Sequence, residues 1–589
     1  MPGRRESLSP AARLAHARPG VPFAVALRRT LAAGYDGAAL RADLMAGTVV
    51  GIVALPLSMA LAIAVGVPPQ HGLYTAIVAG AVAGITGGSK FQVTGPTAAF
   101  VVILAPIVSR YGLSGLLTAG LMAGLLLLAM GFGRLGRFVQ FIPHPVTTGF
   151  TAGIATVIGT LQLKDALGLA VTHMPERFPD KVAALWTARA SLSPADFGVA
   201  AATLALLLLV PRVTRRVPAP LVALAVVAAI VQAAGLHVDT LGSRFHTVVG
   251  GRTLAGIPPL PPVPGLPWGT EPLTLRLVRE LLPSAFAIAI LGAIESLLSA
   301  VVADGMTGKR HDPDAELVGQ GLANVVAPFF GGIAATGALA RTATSIRAGA
   351  RSPVASVVHA AVVLASMVVL APLVAYLPMA SLAALLLLIA WNMAELRHVG
   401  HMLRVAPRSD VFVLVACFVL TVVFDMVVAV SVGIVLAALL FMNRMAELTH
   451  SRVLVEEDGA ETSRVIPRGV ALYEIAGVLF FGAAEQAMAA MSAIGSDVKV
   501  VVLGLGRVPV IDASGLVALE SALERLRRDR KFVIIAGPLP EPRQVFERAE
   551  LEANLDHVLF ADEVEQGLEI AADLVALNPD WDQARSRVA

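Results

Sequence analysis

Residues 92–99 read QVTGPTAA, and residues 334–340 read AATGALA, in a chain otherwise suited to lipid. Each phrase sets Thr-Gly beside Pro or Ala where an unbroken apolar helix would be the safer choice. From Gly95 to Ser109 there are 15 residues, roughly 22 Å of helix, and from Gly337 to Ala350 there are 14, roughly 21 Å. Neither spans a hydrocarbon core of ~30 Å. Extended chain must cover the remainder, and such backbone survives at membrane depth only where protein or a watery cavity shelters it. Pro96 suits the first turn of a helix, where its missing N–H costs nothing. Each Thr-Gly therefore reads as the opening of a half-helix whose N-terminus lies inside the membrane. The competing reading is that both glycines only let continuous helices pack closely.

Composition supports a membrane setting. The chain has 589 residues, 56% of them hydrophobic and 15% charged, with a mean hydropathy of +0.76. No charge falls between Asp43 and Lys90 or between Arg351 and Glu395, and each reach holds two crossings at ~20 residues apiece. The single cysteine, Cys417, excludes a disulfide pair and a Cys-based metal site. No nucleophile elbow, phosphate loop or paired-carboxylate pattern is present, so no enzyme, cofactor, metal or nucleic-acid partner is expected. The partner of the apolar surface is the lipid bilayer.

Charge placement gives the orientation. Arg4, Arg5, Arg13, Arg18, Arg28, Arg29 and Arg41 crowd residues 1–43 without a signal-peptide pattern, which places that end in the cytoplasm. Crossings are expected at 44–66, 72–89, 92–109, 113–132, 138–162, 196–211, 218–236, 283–304, 317–330, 336–350, 353–374, 379–394, 410–425 and 426–443. Short turns at 67–71 and 375–380 carry no Lys or Arg and belong outside. Arg134, Arg137, Arg212, Arg215, Arg216, Lys309, Arg310, Arg397, Arg404 and Arg408 mark the inner turns. Fourteen crossings return the C-terminal segment to the cytoplasm of a multi-pass protein of the inner (plasma) membrane.

The domain plan follows: a first repeat over 44–236, a Gly/Pro-rich connection over 237–282 (GIPPLPPVPGLP), and a second repeat over 283–443. Strand-length runs (VKVVVLGL, KFVIIAG) and a helical run (LVALESALERLRRDR) then predict a small α/β domain over 452–575 and a tail over 576–589. Thr94 aligns with Thr336 at an offset of 242, and GIVALPLSMA from Gly51 meets GAIESLLSAV from Gly292 at 241. Seven crossings on each side of the connection force the second half to enter from the opposite face. That is an inverted repeat, the architecture that builds substrate sites near the bilayer midplane. Inversion turns the two half-helix N-termini toward each other, and together their free N–H groups attract an anion.

Two charges stand where charges are expensive. Glu295 is alone between Glu280 and Asp304, and Arg341 lies one turn into the second half-helix, ahead of Arg347 and Arg351 near the cytoplasmic surface. Burial and a neighbouring guanidinium act oppositely on a carboxyl group, and a carboxyl balanced between them can take up and release a proton in each cycle. Ser299 follows Glu295 by four on the same face. The plain alternative is a structural Glu295–Arg341 ion pair. Gln320 and Asn324, spaced by four, read as ties between helices. Asp425 reads as a solvated turn residue, and His71, His144 and His359 as interfacial or packed.

The stretches PLSMALAIAVGVPPQHGLYTAI, KFQVTGPTAAF, LGAIESLLSAVVADGMTGKRHD and GGIAATGALARTATSIRAGARSP resemble the sulfate permease (SulP) family of anion transporters. The resemblance runs from about residue 40 to 575. It implies a helical polytopic fold of seven plus seven inverted spans with core and gate domains, an elevator-like movement and a homodimer. It also implies an anion site formed by Gly95, Thr97, Ala98, Gly337, Ala338, Ala340 and Arg341, with Leu57 and Leu61 as neighbours. Ala340 stands where animal members tend to carry Ser, and Leu61 and Thr97 where aromatic side chains often line the spans, which argues against a halide-channel mode. Sodium-coupled bicarbonate relatives carry Asp where this chain has Glu295, and Glu is associated with proton coupling. The ion-coupling residues are accordingly Glu295 and Ser299.

The piece VVVLGLGRVPVIDASGLVAL is similar to the STAS domain, in whose soluble relatives the serine matching Ser514 is phosphorylated and the loop meets a partner. Asp512 and Ser514 are thus candidate regulatory residues facing a cytoplasmic partner, and a helix N-terminus favours phosphate. The plain alternative is that one of them caps the helix. The leading expectation is proton symport of sulfate, followed by a C4-dicarboxylate and then bicarbonate. A membrane-anchored anion sensor is the rival of another class. A nucleobase permease shares the fold class but has no need of Arg341 or the appended domain.

Overall fold

The computed structural model describes residues 21–577 except 172–173, 176, 215–216, 250–251, 270–271, 425, 448, 456–464, 490, 492–493, 496 and 552–554. Arg4, Arg5, Arg13, Arg18, Arg215, Arg216 and Asp425, invoked above, lie outside the described residues, as does most of the 576–589 tail. The chain forms two compact units, Met1–Ile434 and Val435–Ala589.

The first unit is built from helices α1 (Gly37–Val65), α2 (Gln70–Thr86), α3 (Ala98–Phe132), α4 (His144–Ala166), α5 (Pro194–Val213) and α6 (Ala219–Ala233). After the connection come α7 (Leu275–Thr307), α8 (Pro313–Val326), α9 (Leu339–Arg347), α10 (Val354–Val374), α11 (Met379–Met393) and α12 (Arg408–Val423), while α13 (Met426–Glu447) begins in this unit and ends in the second. Two-residue strands β1 (Thr94–Gly95) and β4 (Thr336–Gly337) precede α3 and α9. Among the described residues, eight helices are long and apolar enough to cross a membrane unaided, so the expected count of fourteen depends on shorter segments.

Several boundaries differ from expectation for local reasons. Segments 92–109 and 113–132 join as α3, bent at Gly112, whose φ of 66° and ψ of −168° lie outside helical space. Helix α7 begins at Leu275 rather than 283 because the Thr274 side chain accepts from the Leu277 N–H, and Pro283 is carried inside the helix. The connection contains a hairpin of β2 (His246–Val249) and β3 (Arg252–Ala255). The half-helices start later than the glycines suggested, at Ala98 and Leu339. Pro96 lies ahead of its helix instead of in the first turn, because two strand residues and the cap residue Thr97 take up the extended chain.

Packing repeats across the two halves. α1 and α2 pack on α10, as α7 and α8 pack on α3. A second group has α4 against α11 and α12, and α5 against α6 and α11. Small residues permit the close approaches: Gly47 and Gly51 of α1 face Val358 and Val362 of α10, where any Cβ would collide with the valine side chains.

The second unit holds a five-stranded sheet in chain order: β5 (His450–Leu454), β6 (Val470–Ala476), β7 (Val500–Arg507), β8 (Phe532–Ala536) and β9 (Val558–Ala561). β5 pairs antiparallel and the rest are parallel. Helices α14 (Phe481–Ala489), α15 (Ala513–Arg528), α16 (Pro540–Arg548) and α17 (Val564–Leu577) alternate with the strands, as the sequence periodicity required. Two apolar clusters fill the unit, one including Leu519 and Leu523 of α15, the other Leu568 and Ala571 of α17.

Candidate functional site

The two Thr-Gly pairs meet. β1 and β4 pair antiparallel, with Thr94 opposite Gly337 and Gly95 opposite Thr336. Each threonine faces the other half's glycine, the self-complementary register that an inverted repeat imposes. Both strands are buried. Their backbone groups are satisfied by each other and by neighbours: the Ala338 N–H donates to the Val93 carbonyl (2.9 Å) and the Val93 N–H to Thr342 Oγ1 (3.1 Å). Continuous helices packed through glycine are thereby excluded at this place.

Beyond the bridge, α3 and α9 begin without side-chain caps. Their N-cap residues are Thr97 and Ala338, and neither side chain accepts from its own helix. Alanine has nothing to offer, and the Thr97 hydroxyl is committed elsewhere. Two helix N-termini thus retain free N–H groups and their share of positive dipole. Arg341 is the third residue of α9 and only 2% exposed. One guanidinium nitrogen, Nη2, donates to the Pro96 carbonyl (2.9 Å) and to Ser58 Oγ of α1 (3.4 Å), while Nε and Nη1 are buried and have no partner in the protein. Nη1 occupies the space that a Cβ on Gly95 would fill. Glycine there serves the arginine.

Glu295, half-buried on α7, accepts from Thr97 Oγ1 at 2.9 Å. No ion pair joins it to Arg341 among the described residues, so the structural-pair reading is not what the fold builds. Each charge instead holds the opposite flank of the same turn, Arg341 at Pro96 and Glu295 at Thr97. Ser299 is buried one turn along α7, but its hydroxyl donates to Thr342 Oγ1 of α9 (3.3 Å) and not to Glu295. Of the other expected neighbours, Gly95, Gly337, Ala338, Ala98 and Leu61 are buried, Leu57 and Thr97 half-buried, and Ala340 exposed.

Sequence reading underrated α8. Glu316, Gln320 and Asn324 form a stripe at four-residue spacing, all at most 2% exposed. Gln320 Nε2 donates to Thr94 Oγ1 (2.7 Å). Asn324 Nδ2 donates to the Ala335 carbonyl (2.8 Å), and Asn324 Oδ1 accepts from the Ala335 N–H (2.8 Å). They tie the helix to both extended crossings rather than to another helix. Glu316 and Asp43 were missed as buried carboxylates. Asp43 on α1 accepts from the Arg351 and Ser352 N–H groups and from Tyr35 Oη, at 2.6, 3.1 and 2.9 Å. The four-residue stripe was the available signal for Glu316; for Asp43 no sequence pattern pointed to residues some 310 positions away. Ser296 completes the web, accepting from the Gly337 N–H (3.0 Å) and bonding Thr336 Oγ1 (2.8 Å). His71 bonds the Gly331 carbonyl through Nδ1 (2.7 Å) and His144 bonds Thr148; His359 is fully buried.

In the second unit, Asp512 is the N-cap of α15 and accepts from the Gly515 N–H at 2.7 Å; Ser514 is exposed in the first turn. Burial pushes the Tyr473 hydroxyl above the usual tyrosine range, and that hydroxyl donates to the Ala487 carbonyl of α14.

Comparison with known proteins bears on this geometry. The sulfate permease family model matches residues 40–417, and the STAS domain model matches residues 462–566. YvdB of Bacillus subtilis (strain 168), provisionally named a sulfate transporter, is 39% identical over 519 residues, covering 88% of this chain and 95% of that protein. The bicarbonate transporter BicA of Picosynechococcus sp. is 27% identical over 536 residues, covering 87% and 91%. Among solved structures, the murine anion transporter Slc26a9 in its inward-facing state superposes with a TM-score of 0.80 at 18% identity, covering 97% of this chain and 96% of that one. That likeness speaks for the fold.

Proposed function

The chain belongs to the sulfate permease family of membrane-spanning anion transporters, and from that premise we propose that it carries sulfate by proton symport in an elevator-like movement. The observation that carries the reading is the pair of uncapped, opposed helix N-termini with Arg341 buried between them, two of its donor nitrogens unpartnered. A buried unpartnered cation beside two positive helix ends is costly unless an anion joins it. Gly95, Thr97, Ala98, Gly337, Ala338, Ala340 and Arg341 surround that place, with Leu57 and Leu61 behind it. Glu295 accepts only from Thr97 and pairs with no cation among the described residues. A proton on its carboxylate is therefore the positive charge that can arrive and depart with the cargo.

The bonds of the web run among α1, β1, α3, α7, α8, β4 and α9, none of them in the group of α4–α6, α11 and α12. A site held wholly by one group supports that group moving as a rigid body past the other. In this reading the protein makes fourteen crossings of the cell's inner membrane as a homodimer, N-terminus and STAS domain in the cytoplasm, with Asp512 and Ser514 offered to a cytoplasmic partner. Bicarbonate is the second reading, favoured by the 27% identity to a bicarbonate transporter. Uptake of labelled sulfate, bicarbonate and fumarate into proteoliposomes, under an imposed pH or sodium gradient, tests both. Sulfate accumulation driven by an inward proton gradient and lost in Glu295→Gln is expected. Undiminished gradient-driven uptake in that variant refutes the coupling role, and sodium-driven uptake refutes the proton.

A further inference from the structure

The web around the extended crossings contains a carboxylate that the transport cycle above leaves unused. Glu316 is 2% exposed near the start of α8. Its Oε2 accepts from the Gly88 N–H (3.0 Å) and the Ser89 N–H (2.9 Å), and its Oε1 from Gln92 Nε2 (2.8 Å) and Gln320 Nε2 (3.0 Å). Two backbone N–H groups, which cannot turn, donate to Oε2 and two amides to Oε1, an arrangement that suits an ionised carboxylate. No Lys, Arg or His forms an ion pair with it among the described residues. The charge is close to the cargo path. Gln92 Nε2, which holds Glu316, also fills the space that a Cβ on Gly337 would take, directly behind the N-terminus of α9. The Glu316 carboxylate is thus one hydrogen bond removed from the strand that leads into α9.

We propose that Glu316 is a fixed counter-charge that weakens anion binding so that the cargo can leave, an inference that rests on the anion site described above. Two helix ends and a buried guanidinium, away from bulk water, would otherwise hold a dianion tightly, and a transporter that cannot release is stalled. Coulomb energy scales with the charge of the cargo, so one such charge lowers affinity for a dianion by the square of the factor by which it lowers affinity for a monoanion. Dependence on the square of that factor separates a charge effect from a packing effect.

Glu316→Gln isolates the charge. Gln92 Oε1 and Gln320 Oε1 are both buried without partners, so both amides can turn and accept from the new NH2, with the Thr94 hydroxyl then donating to Gln320 Oε1. Hydrogen bonds are kept while the charge goes. Equilibrium binding and initial uptake of labelled sulfate, bicarbonate and fumarate would be measured on the reconstituted full chain, with Arg341→Gln alongside. E316Q is expected to bind bicarbonate more tightly, and sulfate more tightly by the square of that factor, with KM and kcat both reduced. The double variant E316Q/Q92E, which moves the carboxylate along the same hydrogen bond toward Gly337, is expected to bind no more tightly than the unaltered protein. Unchanged or weaker binding in E316Q, a gain equal for mono- and dianion, or tight binding in the double variant overturns the proposal while leaving the site intact. Loss of the site reading itself has a different signature: Arg341→Gln that binds normally, or none of the three anions bound by the unaltered protein.

Discussion

Gly95→Ala is the smallest change that should disarm the anion site without unfolding the chain. The backbone at Gly95 is outside the left-handed region, so alanine carries no conformational penalty there. An added Cβ would collide with Arg341 Nη1 and come to 3.4 Å from Arg341 Cζ, while Ala76 Cα at 3.8 Å is in ordinary contact. The clash is with the far end of a flexible side chain, so the guanidinium gives way and the bridge stays. What is lost is the charge-assisted bond from Arg341 Nη2 to the Pro96 carbonyl at 2.9 Å, and with it the aim of Nε and Nη1. A bond to a charged group is worth about 1.5–3 kcal/mol, or about 10- to 150-fold in affinity. Proteoliposome uptake should show KM for the transported anion raised by that factor, with the purified protein melting within a few degrees of the unaltered one. Arg341→Lys should add little on top of Gly95→Ala, since both remove the same contact. A Gly95→Ala protein with unchanged KM, or additive losses in the double variant, would refute the claim that Gly95 exists to seat Arg341.

Asp43→Asn withdraws a carboxylate that accepts from Arg351, Ser352 and Tyr35, and should lower stability by about 3 kcal/mol, seen as a fall in Tm of the purified protein. Asn324→Ala leaves both the N–H and the carbonyl of Ala335 buried without partners; a loss of about 2–4 kcal/mol and a reduced kcat are expected, and an unchanged Tm would contradict the tie. Asp512→Ala removes the α15 cap, costing the second unit about 1 kcal/mol in denaturant unfolding, with transport in the same preparation unaltered.

Legibility tracked the range of the interaction. Broken crossings, the isolated Glu295 and the early Arg341 could be read because lipid penalises polar groups wherever they stand. The start of α7 could not, since it depends on whether Thr274 finds the Leu277 N–H. Ser299 was paired with Glu295 by helical spacing, yet its hydroxyl turns to Thr342 on another helix. Spacing along one helix says which face a residue shares, and it does not say which neighbour is packed against that face.

Apolarity, charge segregation and the duplicated Thr-Gly are properties of the string alone, and they determined a polytopic membrane unit with two interrupted crossings followed by an α/β domain. Only the tertiary structure decided that the interruptions bond to each other, that Arg341 and Glu295 hold successive residues of one turn instead of each other, and that α8 fastens both crossings. The reason is physical. The cost of placing polar groups in hydrocarbon is paid locally and leaves its mark on composition, whereas the partner that offsets it is selected by packing among residues more than 200 positions apart.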